Sequence, residues 1–200
     1  MVQQAGDVSV LEILQERAAT YSFLSQMYGR EISVEKLEQL IPALAEEGVE
    51  QGTAGEGHEL LRRFARQVHG SDLKKVATDL AAEYLRVFYG TRLEGAYPYE
   101  SVYTSPTQVM MQEAHGQVLH LYQQENLQRD PASKEPEDHI AFEFEFMAYL
   151  CDRAAEALNS APEVARAYLE KQKAFLDDHL LVWAPTFCED LAKATRSDFY

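Results

Sequence analysis

Residues 140 to 151 read IAFEFEFMAYLC, and no other stretch restricts the fold as strongly. At about 100° per residue, Ile140, Phe144, Met147 and Cys151 fall on one stripe of a helix, while Phe142, Phe146 and Tyr149 fall on nearly the opposite one. A helix apolar on two sides is stable only between neighbours, so a central helix of a helical core is predicted here. Pro136 suits a first helical turn, and Glu135, Glu137 and Asp138 would sit beside the positive end of the helix dipole. A start near residue 136 follows. His139 and Glu143 then share one seam between the stripes, and Asp138 and Glu145 share the other, which predicts acids and a histidine at the mouth of the helix.

The flanking sequence is helical in pattern nearly throughout. Ser9 and Glu12 form a capping box ahead of Val10, Leu14, Tyr21, Leu24 and Tyr28, with Gly29 as the stop. Ser33 opens a second pattern through Leu37, Leu40, Ile41 and Leu44, with a kink or break expected at Pro42 and an end at Gly48. Residues 48–57, GVEQGTAGEG, read as a surface loop. A third helix is predicted from His58 to His69, and a fourth, capped by Ser71, through Leu73, Val76, Leu80, Tyr84, Val87 and Phe88 to Gly90.

Residues 91–104, TRLEGAYPYESVYT, follow no period. Their tyrosines, Tyr97, Tyr99 and Tyr103 around Pro98, either pin a loop to the core or line a peptide groove. Ser105 and Pro106 look like a cap and first turn for a helix through Val109, Met110, Val118, Leu119 and Tyr122. Residues 126–135 are a polar connector, residues 159–162 separate the central helix from one reaching His179, and the run LLVWAP precedes a last helix with Phe187, Leu191 and Ala194. No segment alternates with period two for long enough to be a strand. The fold class expected is all-α, a single-domain bundle of about seven or eight helices over residues 1–200.

Eighteen Lys and Arg against 33 Asp and Glu give a formal charge of −15, which excludes a phosphate-backbone binder and favours a basic partner. No secretory leader or membrane-length apolar run is evident, so a cytoplasmic location is expected. Cys151 and Cys188, far apart and outside any C-x-x-C, are expected to be buried free thiols. None of the six histidines follows a glutamate by three positions, as a di-iron bundle requires, and H-E-x-x-H, G-x-S-x-G, G-x-x-x-x-G-K-[ST] and G-x-G-x-x-G are all missing. No metal or other cofactor is expected, and a binding protein is favoured over an enzyme. Two alternatives stay open: a helical enzyme with His139 and Glu143 as acid–base residues, and an interaction module without a peptide ligand.

The stretch EPEDHIAFEFEFM, residues 135–147, resembles the signature of the TorD/DmsD/NarJ family of redox-enzyme maturation chaperones. EYLRVFYG followed by PYESVY, and FLDDHLLVWAPTFCEDL leading to a terminal DFY, agree with it, so the resemblance covers about the last 120 residues. It implies an all-α chaperone that binds the twin-arginine signal peptide, or the apo-form, of a molybdenum-cofactor oxidoreductase subunit and delays export until the cofactor is inserted. Such a protein is possible as a homodimer. Carried over by position, Asp138 and His139 match the family's Asp-His pair, Glu135 its preceding acid, and Tyr84, Phe88 and Pro98 an apolar lining. Tyr97, Tyr99, Glu100, Ser101 and Glu143 complete the expected peptide site. The tryptophans that some members place around this loop are missing, and Trp183 is the only tryptophan.

Overall fold

The computed structural model describes residues 9–45, 55–90 and 95–200. It is all-α. The helices are α1 (Val10–Gly29), α2 (Val34–Ala45), α3 (Glu56–Val68), α4 (Leu73–Tyr89), α5 (Glu100–Thr104), α6 (Glu113–Gln124), α7 (Ile140–Ala157), α8 (Pro162–Phe175) and α9 (Leu181–Ala194), with a π-helical turn, Leu176–Leu180, joining α8 to α9. Taken with that turn, α8 and α9 are one continuous helix, which makes eight among the described residues. The predicted end at Gly48, most of the 48–57 loop and residues 91–94 of the tyrosine-rich stretch lie outside them. No described helix is long and apolar enough to cross a membrane.

The chain divides into two compact units, Met1–Gly29 with Pro98–Pro185, and Arg30–Tyr97 with Thr186–Tyr200. In the first, α7 packs between α1 and α8. The capping box closes α1 as expected, Ser9 N–H donating to Glu12 Oε2 at 2.8 Å and Glu12 N–H to Ser9 Oγ at 3.2 Å. Leu14 and Ala18 of α1 bury against Cys151 and Ala154 of α7. At the end of α1 a Cβ on Gly29 would stand 3.3 Å from Ala141 Cβ, so a small residue permits the close approach of the two helices.

Both apolar stripes of α7 are covered, by different neighbours. Phe144 is half-buried beside Tyr21 and Tyr28 of α1, ring centroids 6.1 Å away in each case. Phe146 is buried against Tyr122 of α6 at 4.9 Å and Phe175 of α8 at 5.0 Å.

In the second unit α2 packs on α3 and α4. The helix runs through Pro42 to Ala45 instead of breaking, with Leu37 and Ile41 buried on its inner face. Asp72, not Ser71, caps α4 by accepting from Lys74 N–H at 3.0 Å. Gly90 ends it where a Cβ would fall 2.1 Å from Arg86 O, so no other residue fits that backbone. Arg63 holds Asp198 through two nitrogens at 2.6 and 2.7 Å, and Glu83 accepts from Arg86 and from Arg196 N–H.

Three further expectations are corrected. The helix foreseen from Ser105 begins only at Glu113, because Ser105 Oγ accepts from Thr107 N–H in a local turn and Gln108 and Met111 take positive φ of 51° and 59°. No loop separates a last helix at LLVWAP. Leu181 N–H reaches back to Leu176 O in the π turn, and Pro185 is carried inside α9. Of the two free thiols, Cys151 is buried and Cys188 is exposed.

Candidate functional site

The two unusual sequence stretches meet in the first unit. His139 is extended (φ −76°, ψ 135°) and forms an isolated antiparallel bridge with Tyr99. Glu100 N–H donates to Asp138 O at 2.9 Å, and Ile140 N–H to Pro98 O at 2.8 Å. The central helix therefore starts at Ile140, and Pro136 lies in the turn before it: an extended residue at 139 uses the backbone that a first turn would need.

Asp138 is committed to a different helix. Its Oδ2 accepts from Ser101 N–H at 2.9 Å and from the Ser101 hydroxyl, which closes the N-terminus of α5, and Ser101 Oγ accepts from Gln112 N–H at 3.1 Å. His139 caps α7 itself, Nδ1 accepting from Ala141 N–H at 3.1 Å. In the neutral ring the proton therefore sits on Nε2. Tyr99 meets the imidazole edge-on at 5.1 Å and donates its hydroxyl to Glu135 at 2.5 Å. Glu137 pairs with His115 at 2.8 Å and Arg129 at 3.3 Å.

Beneath this bridge lies a second polar layer. Trp183 Nε1–H donates to Glu143 Oε2 at 3.0 Å, and His179 Nδ1 lies 2.9 Å from Glu100 Oε2. Glu100, Asp138, His139 and Glu143 are each at most 2% exposed. Burial holds the His139 pKa down to about 4, against a smaller upward pull from Glu135. Burial, followed by the charge of Glu100, pushes the Glu143 carboxyl well above the usual carboxylate range, which favours its protonated form. Its other oxygen, Oε1, is buried without a hydrogen-bond partner, which disfavours the charged carboxylate.

The acids expected at a solvent-facing mouth are thus interior groups. Pro98, Tyr99, Glu100, Ser101, Glu135, Asp138, His139 and Glu143 come together in the first unit, all buried except Glu135, which is half-buried. Tyr84, Phe88 and Tyr97 belong to the second unit. There Tyr84 packs on Phe88 at 4.8 Å, Phe88 meets Phe187 and Tyr200, and the Tyr97 hydroxyl donates to Gly90 O at 3.0 Å. Because Asp138 braces two segments of backbone, Asp138→Asn is expected to lower the unfolding free energy by about 1–3 kcal/mol, the range for weakening a buried charge-assisted bond. Denaturant titration measures this directly.

Two hollows open beside the buried cluster. One, of about 400 Å³, is lined by Glu100, Glu113 and Asp178 together with Ser105, Pro106 and Val182. The other, of about 430 Å³, has Phe146 and Phe175 in its lining with Leu121 and Ala174. Sequence reasoning did not single out His179, Asp178 or the α6 face as site residues. The π turn that aims His179 inward and leaves Asp178 exposed has no local sequence signature.

A family model described as nitrate reductase delta subunit matches residues 35–189. Curated relatives match a larger share of the chain. A chaperone protein TorD of Vibrio cholerae serotype O1 is 31% identical over 194 residues, covering 90% of this chain and 81% of that protein. The proteins of the same description from Vibrio vulnificus and Photobacterium profundum are 26% and 27% identical, each covering 93% of this chain and 86% of the relative.

Proposed function

Because the chain belongs to the nitrate reductase delta subunit family, we propose that it is a chaperone for a redox enzyme. In this reading it holds the apo-form of a molybdenum-cofactor oxidoreductase subunit in the cytoplasm, through that subunit's twin-arginine signal segment, until the cofactor is in place. The observation that carries the reading from the structure is apolar surface beside acid in the first unit. Leu181 and Val182 are 60% and 55% exposed, and Val109, Met110 and Met111 also face solvent. Exposed apolar side chains of this kind suit a partner that is itself incompletely folded.

In the same reading Pro98–Ser101, Glu135, Asp138, His139 and Glu143 shape the first unit around its contact surface. The reading of His139 and Glu143 as an acid–base pair finds no support in the geometry: both are buried, His139 spends Nδ1 on its own helix, and neither presents an atom to a substrate. The test is co-purification of the chain with the catalytic subunit of a molybdenum-cofactor oxidoreductase encoded by the same genome. The apo-subunit with its signal segment is expected to be retained and the cofactor-loaded subunit released. Equal retention of both, or of neither, contradicts the proposal.

A further inference from the structure

The two hollows adjoin, sharing Gln117 and Asp178, and together they make one groove along α6 and the α8–α9 helix. We infer that this groove takes a peptide segment in which a pair of guanidinium groups is followed by an apolar run, the cations at the Glu113–Asp178 end and the run against Phe146 and Phe175. The inference rests on the chaperone reading for the identity of the partner and adds where, and in which direction, the segment lies.

Charge complementarity selects the occupant. The acidic end carries the carboxyl groups of Glu100, Glu113 and Asp178, and no lysine or arginine lines it. Glu113 and Asp178 are exposed and able to meet a ligand, while Glu100 is held from behind by His179. A guanidinium suits such a wall better than an ammonium, since its planar fork can engage carboxylates in pairs. The apolar end does not repel the cations that precede its ligand. Its one lysine, Lys171, is tied to Glu125 and lies 5.1 Å from the Tyr168 ring centroid.

The junction between the ends is structurally particular. Asp178 and His179 are consecutive residues of the π turn, one exposed in the groove and the other buried on Glu100. Such turns are rare, and they occur frequently at functional sites. Each hollow also falls within the roughly 300–1,000 Å³ common for ligand clefts.

Calorimetry with a synthetic peptide, two arginines followed by an apolar run, tests this on the full chain. The parent is expected to bind with an affinity that falls as salt is added. Glu113→Gln and Asp178→Asn are each expected to weaken binding about 5- to 100-fold, the range for one charge-assisted contact, and to flatten the salt dependence. Ala174→Glu, which puts a charge into the apolar end, is expected to weaken binding of the apolar run, and Glu163→Gln, outside the groove, to leave affinity unchanged. All four positions are exposed, so thermal melts are expected to stay at the parent value. Parent-like affinity in Glu113→Gln, Asp178→Asn and Ala174→Glu overturns the groove while leaving the chaperone reading standing. Retention of the apo-subunit without any binding of the peptide also overturns it, and loss of both interactions removes the two together.

Discussion

Trp183→Ala is expected to lower the unfolding free energy by about 3–5 kcal/mol, the usual cost of truncating a large buried aromatic side chain. Trp183 is fully buried, its ring 5.5 Å from that of Tyr103, and its indole N–H is the donor to Glu143 Oε2. Truncation opens a cavity and also leaves a buried carboxyl oxygen without its partner. The two contributions separate with Trp183→Phe, which keeps most of the apolar contact and loses only the donor, for an expected cost of about 1–3 kcal/mol. Denaturant titration of both variants reads the difference. A cost below roughly 1 kcal/mol for the alanine variant would mean that the Trp183–Glu143 layer does not hold the first unit together.

The second large effect is acid destabilisation through His139. Its folded pKa of about 4 lies below the ordinary 6.5, so between those values the unfolded chain binds a proton that the native ring refuses. Stability present above pH 6.5 is therefore lost as the pH falls toward 4, by about 3 kcal/mol at roughly 1.4 kcal/mol per unit. Glu143 acts in the opposite sense. Its raised pKa means the native state keeps a proton that the unfolded chain releases above about 4.5, so this group lowers stability as the pH rises from there. The variants divide the two limbs. His139→Asn retains a side chain able to cap α7 and is expected to flatten the acid limb. Glu143→Gln imitates the neutral acid and is expected to match or exceed the parent at pH 7 to 8. An unchanged acid limb in His139→Asn would show that the ring is not held neutral.

What local sequence could show depended on how far each residue's partner lies along the chain. The Ser9–Glu12 capping box and the two stripes of α7 are patterns within a few positions, and the structure has them as read. Asp138 is different: beside Glu135 and Pro136 it has the signature of a helix start, yet it closes α5 at Ser101, 37 positions earlier. The same holds for Glu143, whose donor Trp183 is 40 positions away, and for Glu100, whose histidine is 79 away. The continuity of α8 with α9 through the π turn, with Pro185 carried inside α9, likewise has no local pattern that marks it. The acidic stretch was thus legible as unusual, while its being interior was not, since burial is a property of the assembled unit.

The Asp138–His139 cluster is the buried frame of the first unit, and the groove along α6 and the π turn is the proposed surface for the partner. Amide hydrogen exchange of the full chain, with and without the arginine-pair peptide, tests it most directly. Slower exchange is predicted along α6 and residues 174–182, with the amides of Glu100, Ser101, His139, Ile140 and Ala141 unaltered because they are already bonded within the protein. New protection confined to residues 98–101 and 135–141, with α6 and the π turn unchanged, would contradict it.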